Sequence, residues 1–233
     1  MKRRKLVSEA AALLNEETRR AEQVLETLKE HFGVPRLVDI GNEPFKVLVR
    51  TIISQSTAEV NTRRAYQNLS GKFSITPQEL ANAEISEIEE ALRVAGLYRN
   101  KAKILKRVAA QVLEKFNCSL SFIHDLNLEE ARARLMSLPG VGPKTADVVL
   151  LFSAQKPTLP VDTHVDRVSK RLNLAPRRAS YDVVRETLQK LYPSEEYLTV
   201  HLLFISLGRK YCKALKPIHA VCPVRNLCPS AET

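Results

Sequence analysis

The chain has 233 residues, 44% of them hydrophobic, and a formal net charge of +10 from 36 Lys and Arg against 26 Asp and Glu. That length holds one ordinary domain or two small ones, each with a core of its own. No apolar run approaches the ~20 residues needed to span a membrane. The basic start, Met1 to Lys5, leads into polar Ser8 and Glu9 with no apolar signal core, so a cytoplasmic protein without an export signal is expected. A basic surface suits a polyanion, because each neutralised phosphate releases counterions; the charge agrees with DNA binding without selecting it.

Taken in chain order, the pattern is helical almost throughout. From Ser8 to His31 apolar residues recur at helical spacing (Leu13, Leu14, Val24, Leu25, Leu28), and Gly33 to Pro35 ends the run. Pro44 suits a first helical turn, and Phe45, Leu48, Val49, Ile52 and Ile53 form the stripe that follows it. Thr76-Pro77-Gln78-Glu79 is a capping box, with Ile75 and Leu80 placed as its hydrophobic staple. Ser86-Glu87-Ile88-Glu89 reads as a second box, with Gly96 as the stop after it. The basic run Arg99, Lys101, Lys103, Lys106 and Arg107 reads as a solvated helix face that also suits backbone phosphates. Asn127 opens a short helix leading into the turn Leu138-Pro139-Gly140-Val141-Gly142-Pro143-Lys144, and further helices are predicted over 162–172, 180–191 and 194–207. Strand signals are almost absent. The expected class is all-α, helix packed on helix, with short loops making neighbours antiparallel.

The glycine turn carries the first chemical signal. Glycines on both sides of Val141 allow positive φ and a close approach to a partner, because no Cβ stands in the way. An apolar run, Ala146 to Phe152, begins directly afterwards, so the amides of the turn sit at a helix N-terminus, a ready site for a phosphate. Lys144 lies two residues past the turn, and Asp162 lies eighteen further on. Read alone, Lys144 is a phosphate contact or a nucleophile. Asp162 before Thr163 and His164 is an N-cap, a functional carboxylate, or both.

Gly140-Val141-Gly142, Lys144 and Val161-Asp162-Thr163-His164, in this order and spacing, resemble the endonuclease III branch of the helix-hairpin-helix DNA glycosylases. The resemblance implies a six-helix domain over residues 37–152 that contains the hairpin. It also implies a second domain made from 1–36 and 153–233, with the active-site groove between the two. Lys144 would attack C1′ of a damaged nucleotide, displace the base and leave a Schiff base, whose β-elimination cuts the strand. That needs a neutral amine, and lowering a lysine pKa by three units takes about 4 kcal/mol. Asp162 would stabilise the positive charge that develops on the sugar. By motif, Gln55 (in Ile53 to Thr57) and Leu97 (in Gly96 to Lys101) would fill the gap left by the rotated nucleotide, a core role being the other reading of Leu97. Gly140, Val141, Gly142 and His164 complete the implied DNA contacts. Arg50 stands where the related adenine glycosylases carry a catalytic glutamate, which argues against that branch.

The implied partner is double-stranded DNA with a damaged base or an abasic site, bound by a monomer, with oxidised pyrimidines as substrates. A helix-hairpin-helix protein that binds without chemistry, and a monofunctional mismatch glycosylase, are the alternatives.

Of four cysteines, three fall near the end, and a disulfide scaffold would spread them more widely. Cys118 reads as a packed thiol. In the family the last region carries Cys-x6-Cys-x2-Cys-x5-Cys around a [4Fe–4S] cluster. Here Cys212, His219, Cys222 and Cys228 keep that spacing, with histidine at the second place. A Cys3His cluster, a Cys3His zinc site and an empty loop all remain open. With a metal, the loop would be stapled and Lys210, Lys213, Lys216 and Arg225 would form a DNA-facing patch.

Overall fold

A computed structural model describes residues 2–35 and 42–231, and side chains from residue 16 onward. Among the described residues there is no strand. The α-helices, in chain order, are α1 Lys2–Phe32, α2 Pro44–Ser54, α3 Glu59–Lys72, α4 Pro77–Asn82, α5 Ile85–Ala91 and α6 Tyr98–Lys115. They continue with α7 Phe122–Asp125, α8 Leu128–Met136, α9 Pro143–Ala154, α10 Thr163–Arg171, α11 Tyr181–Leu191 and α12 Tyr197–Lys210. None of the described helices is long and apolar enough to cross a membrane. The chain forms two compact units, one from Leu37–Lys156 and one from Met1–Arg36 with Pro157–Thr233. Helix α9 runs on past Phe152 to Ala154, and Lys156 is the last residue of its unit. There Lys156 Nζ donates to the carbonyls of Leu126 (2.8 Å) and His124 (3.2 Å). The start at Leu37 lies outside the described residues.

In the Leu37–Lys156 unit the core is one contiguous cluster. Glu43 caps α2 through its carboxylate, accepting from the amides of Phe45 and Lys46, and Pro44 fills the first helical position. The stripe Phe45, Leu48, Val49, Ile52 and Ile53 is buried, against α9 among others. Thr76 Oγ1 accepts from the Glu79 amide and starts α4, as the capping box requires. The second predicted box does not form. Helix α5 starts at Ile85 after Glu84, because Ile85, Ile88 and Ala91 are the side chains that reach the core and they set where the helix begins. Its end at Ala91 also precedes Gly96, which belongs to the next turn. Asn127 Oδ1 accepts from the Glu130 amide at the head of α8. Between α8 and α9, Arg132 Nε donates to the wholly buried Asp147 carboxylate at 3.0 Å.

In the other unit α1 packs on α11 and α12 through Ala21, Val24, Leu25 and Leu28. Tyr192 Oη donates to the Ala21 carbonyl at 3.1 Å. Leu13 and Leu14 of the predicted stripe lie outside the described side chains. Helix α12 buries Tyr197, Val200, His201, Phe204 and Leu207 at helical spacing and packs on α10. A 3-10 turn over Ser194–Glu196 precedes it.

Candidate active site and its setting

The hairpin joins α8 to α9, and its two glycines differ. Gly140 has φ +73°, and a Cβ there would stand 2.8 Å from Ile104 Cγ2, so both conformation and space demand glycine. Gly142 is the N-cap of α9 in extended backbone at φ −95°, with nothing within 4 Å of a built Cβ. The expected positive φ therefore holds on one side of Val141 only, and Gly142 leaves an open front. Val141 itself is buried, and its amide donates to the Leu138 carbonyl at 3.2 Å. Its side chain anchors the turn inward. Gly140 and Gly142 donate no backbone hydrogen bond among the described residues, which leaves those two amides for an outside acceptor. Lys144, second residue of α9 after Pro143, is half-buried.

Two further turns lie against this hairpin or each other. Gln55 is the C-cap of α2, and its Nε2 donates to the Gly140 carbonyl (3.2 Å) and reaches Thr145 Oγ1 at 3.4 Å. Ser56, next to it, has φ +50°. Leu97, before α6, has φ +58° and is 67% exposed, so the core reading fails. Its neighbour Gly96 packs so closely that a Cβ would stand 2.8 Å from the Ser56 carbonyl oxygen. Lys101 departs from the solvated face predicted for the basic run. It is 2% exposed, because positions 101, 105, 108 and 112 share the buried stripe of α6. Its Nζ donates to Thr57 Oγ1 at 2.5 Å, and burial brings its pKa down to about 8. Arg99, Lys103 and Arg107 are exposed as expected. Arg50 Nη2 pairs with Glu59 Oε1 at 2.6 Å.

In the other unit, the Val161 to His164 segment is fixed by side chains from α11 and α12 and by its own helix cap. His201, buried, bonds through Nδ1 to the Pro160 carbonyl at 2.8 Å, and the Val161 amide donates to Tyr181 Oη at 3.4 Å. Asp162 is the N-cap of α10. Its Oδ1 accepts from the amides of His164 (2.9 Å) and Val165 (2.8 Å), which fixes the carboxylate at the positive end of the helix. His164 lies against Gly208, where a Cβ would meet its ring Nδ1 at 2.8 Å, and that Nδ1 is 3.0 Å from Arg167 Nη2. Burial lowers the His164 pKa, Asp162 acts in the opposite sense, and Arg167 and Arg209 lower it further.

The last region is tied to α10 by arginines. Arg167 Nε donates to the Cys212 carbonyl (2.8 Å), and Arg171 donates to the carbonyls of Lys213 and Ala214. Burial pushes the Cys222 and Cys228 thiols up, and the charge of neighbouring sulfurs, Cys212 included, adds to it. Cys212 Sγ lies 3.4 Å from Arg171 Nη1, and Cys228 Sγ lies 3.7 Å from the Arg171 carbonyl oxygen. Among the described residues no group of three or more His, Cys, Asp or Glu side chains is placed to hold a metal ion. The donor set is right in kind, but the four candidates do not stand as a preassembled site.

Sequence reasoning misplaced Lys101 on a solvated face and passed over His201, Gly208 and the Arg132–Asp147 pair. The first two were marked by their positions on otherwise apolar helical stripes. Gly208 and the ion pair depend on neighbours distant in sequence and left no local signal.

A helical hairpin with a glycine turn, in an all-helical two-unit chain, matches one family model. Residues 49–194 fit the HhH-GPD superfamily base excision DNA repair protein, and the chain belongs to that superfamily. Within it the chain is an endonuclease III-like glycosylase. It is 36% identical to endonuclease III of Thermotoga maritima over 186 residues, 80% of this chain and 83% of that protein. With endonuclease III of Bacillus subtilis the identity is 32% over 193 residues, 83% of this chain and 84% of that protein. A solved structure of a trapped covalent intermediate between endonuclease III and DNA superposes with a TM-score of 0.81 at 32% identity, covering 92% of this chain and 97% of that one.

Proposed function

We propose that this base excision repair enzyme removes damaged bases from duplex DNA and cuts the resulting abasic strand, using one lysine for both steps. Lys144 Nζ, as the neutral amine, attacks C1′, and the base leaves with the bonding pair and takes up one proton from the nitrogen; the ring oxygen then leaves C1′ with its pair and takes up the other, which gives the Schiff base. C2′ becomes acidic, a proton leaves it, and the 3′ phosphate departs by β-elimination. The Asp162 carboxylate, fixed at the head of α10, opposes the positive charge that grows on the sugar as the base departs. One observation carries the reading: Lys144 stands at the head of α9, directly after a turn whose Gly140 and Gly142 amides are left for an outside acceptor. A phosphate held there through backbone amides is gripped without regard to sequence. The covalent intermediate known for an endonuclease III of like fold supports the same chemistry.

Gln55 and Leu97 are proposed to occupy the space left by the rotated nucleotide. Leu97, a large apolar side chain held out in solvent by a left-handed turn, has no packing reason to be there. His164 is proposed as a further DNA contact, and oxidised pyrimidines as the substrate class, on the family resemblance. For the last loop the proposal is a [4Fe–4S] cluster on Cys212, His219, Cys222 and Cys228, supported by the spacing and by Cys212 and Cys228 both lying against Arg171. No step of the reaction runs through it. Iron and acid-labile sulfide found on analysis of the purified protein would support the cluster; zinc, or no metal, would overturn it.

The test of function is reduction with borohydride in the presence of an abasic duplex. A covalent protein–DNA complex and a nicked strand are expected. Binding without a complex would make the chain a DNA-binding module, and base release with an intact strand would make it a monofunctional glycosylase.

A further inference from the structure

Three locally unfavourable features meet at the two turns that carry Gln55 and Leu97. Ser56 and Leu97 both hold left-handed backbone, which costs a non-glycine residue free energy. Lys101 buries its amine in the first turn of α6, where the helix dipole disfavours a cation. No carboxylate among the described residues pairs with that amine. An apolar side chain of the same length would fill the site without these costs.

The side-chain bond made by Lys101 gives the reason for a lysine, and its backbone bond, which any residue would make, places it in the Leu97 turn. Its backbone amide donates to the Leu97 carbonyl at 3.0 Å, closing the turn that presents Leu97. Its Nζ donates to Thr57 Oγ1, and the Thr57 hydroxyl in turn donates to the Gln55 carbonyl at 3.2 Å. One residue thus holds the backbone of both turns, and the Gly96 contact with Ser56 allows no spacer between them. Burial, which brings the amine's pKa down to about 8, is the cost of that placement.

We propose that Lys101 is a positioning residue that sets the Gln55 turn and the Leu97 turn in register, so that their side chains enter a lesion-containing duplex together. This rests on the gap-filling roles proposed above for Gln55 and Leu97. Lys101 does not touch DNA; it acts through Thr57 and the two turns.

The experiment measures binding to a duplex with a stable abasic analogue and to the same duplex undamaged, which needs no chemistry at Lys144. Gap filling matters only at the abasic site. Lys101→Met is expected to keep the affinity for intact duplex and to lose about tenfold of the preference for the abasic one, close to 1.4 kcal/mol. Thr57→Val should reproduce that loss, and Thr57→Ser, which keeps the hydroxyl, should restore the preference. Unfolding temperature is followed in each variant. An unchanged preference in Lys101→Met, or equal losses on both duplexes, would overturn the proposal. Because trapping is not the readout, failure of the lyase reading would leave this result distinct.

Discussion

Gln55 Nε2 donates to the carbonyl oxygen of Gly140 at 3.2 Å, so the turn that ends α2 is fastened to the hairpin that begins α9. The donor comes from a proposed gap-filling side chain, and the acceptor belongs to the turn proposed to grip phosphate. DNA that draws Gln55 away would have to break this bond, and the freed Gly140 carbonyl would face water. The two functions are thereby linked within one unit.

The two glycines of that hairpin should respond differently. Gly140→Ala adopts a left-handed conformation with a Cβ and meets Ile104, so it should lower stability by about 1–2 kcal/mol, read as a lower unfolding temperature. Gly142→Ala meets nothing in the free protein and should change stability by less than about 1 kcal/mol, the scale of an N-cap change. Its methyl group stands on the open front, so affinity for abasic duplex should fall in this variant too. Equal affinity in Gly142→Ala and wild type would show that the front is not a phosphate site.

Asp162 has a cap and a proposed chemical role, and two substitutions separate them. Asparagine caps a helix about as well as aspartate, so Asp162→Asn should leave stability within a few tenths of a kcal/mol. Asp162→Ala should lose about 1 kcal/mol. Base release should slow by about 100-fold or more in both, since each removes the charge. An Asp162→Asn enzyme with full activity would reduce Asp162 to a cap.

The Lys101 amine gives a signed pH dependence. Its pKa is about 8 in the folded chain and near the ordinary 10.5 when unfolded. From the lower value to the higher one, the unfolded chain binds more protons, so this group makes stability rise with pH, and below about 8 its penalty is constant. The difference in unfolding temperature between wild type and Lys101→Met should therefore shift in favour of wild type across that window. A pH-independent difference would contradict the burial of a charged amine.

His164 is displaced toward the neutral form by burial, with Arg167 and Arg209 acting in the same direction. Its titration, followed by NMR, should fall below 6.5, and stability should drop as pH falls through that window because the folded ring resists protonation. Gly208→Ala pushes on the ring and should move that titration; an unmoved resonance would show that the Gly208 contact does not hold the imidazole.

Much of this was legible in the amino-acid order. The α2 stripe, the Thr76 cap and the hairpin are local patterns, and each appears in the structure where spacing puts it. Asp162 as a cap followed from its place before an amphipathic run. What stayed hidden depends on residues distant in sequence. Gly142 and Gly140 look alike in the chain, and only Ile104 and the turn's actual φ values tell them apart. Charge misled at Lys101, where the apolar positions 105, 108 and 112 on the same stripe outweighed a run of basic neighbours. The Ser86 box failed because Ile85 reaches the core, and burial of that side chain decided where the helix began.

The measurement that bears most directly on the account is mass spectrometry of the borohydride-reduced complex with abasic duplex, digested to locate the crosslink. The account places deoxyribose on the ε-nitrogen of Lys144, and has Lys144→Ala bind the same duplex without forming a complex or a nick. A crosslink on any other side chain, or nicking by Lys144→Ala, would contradict it.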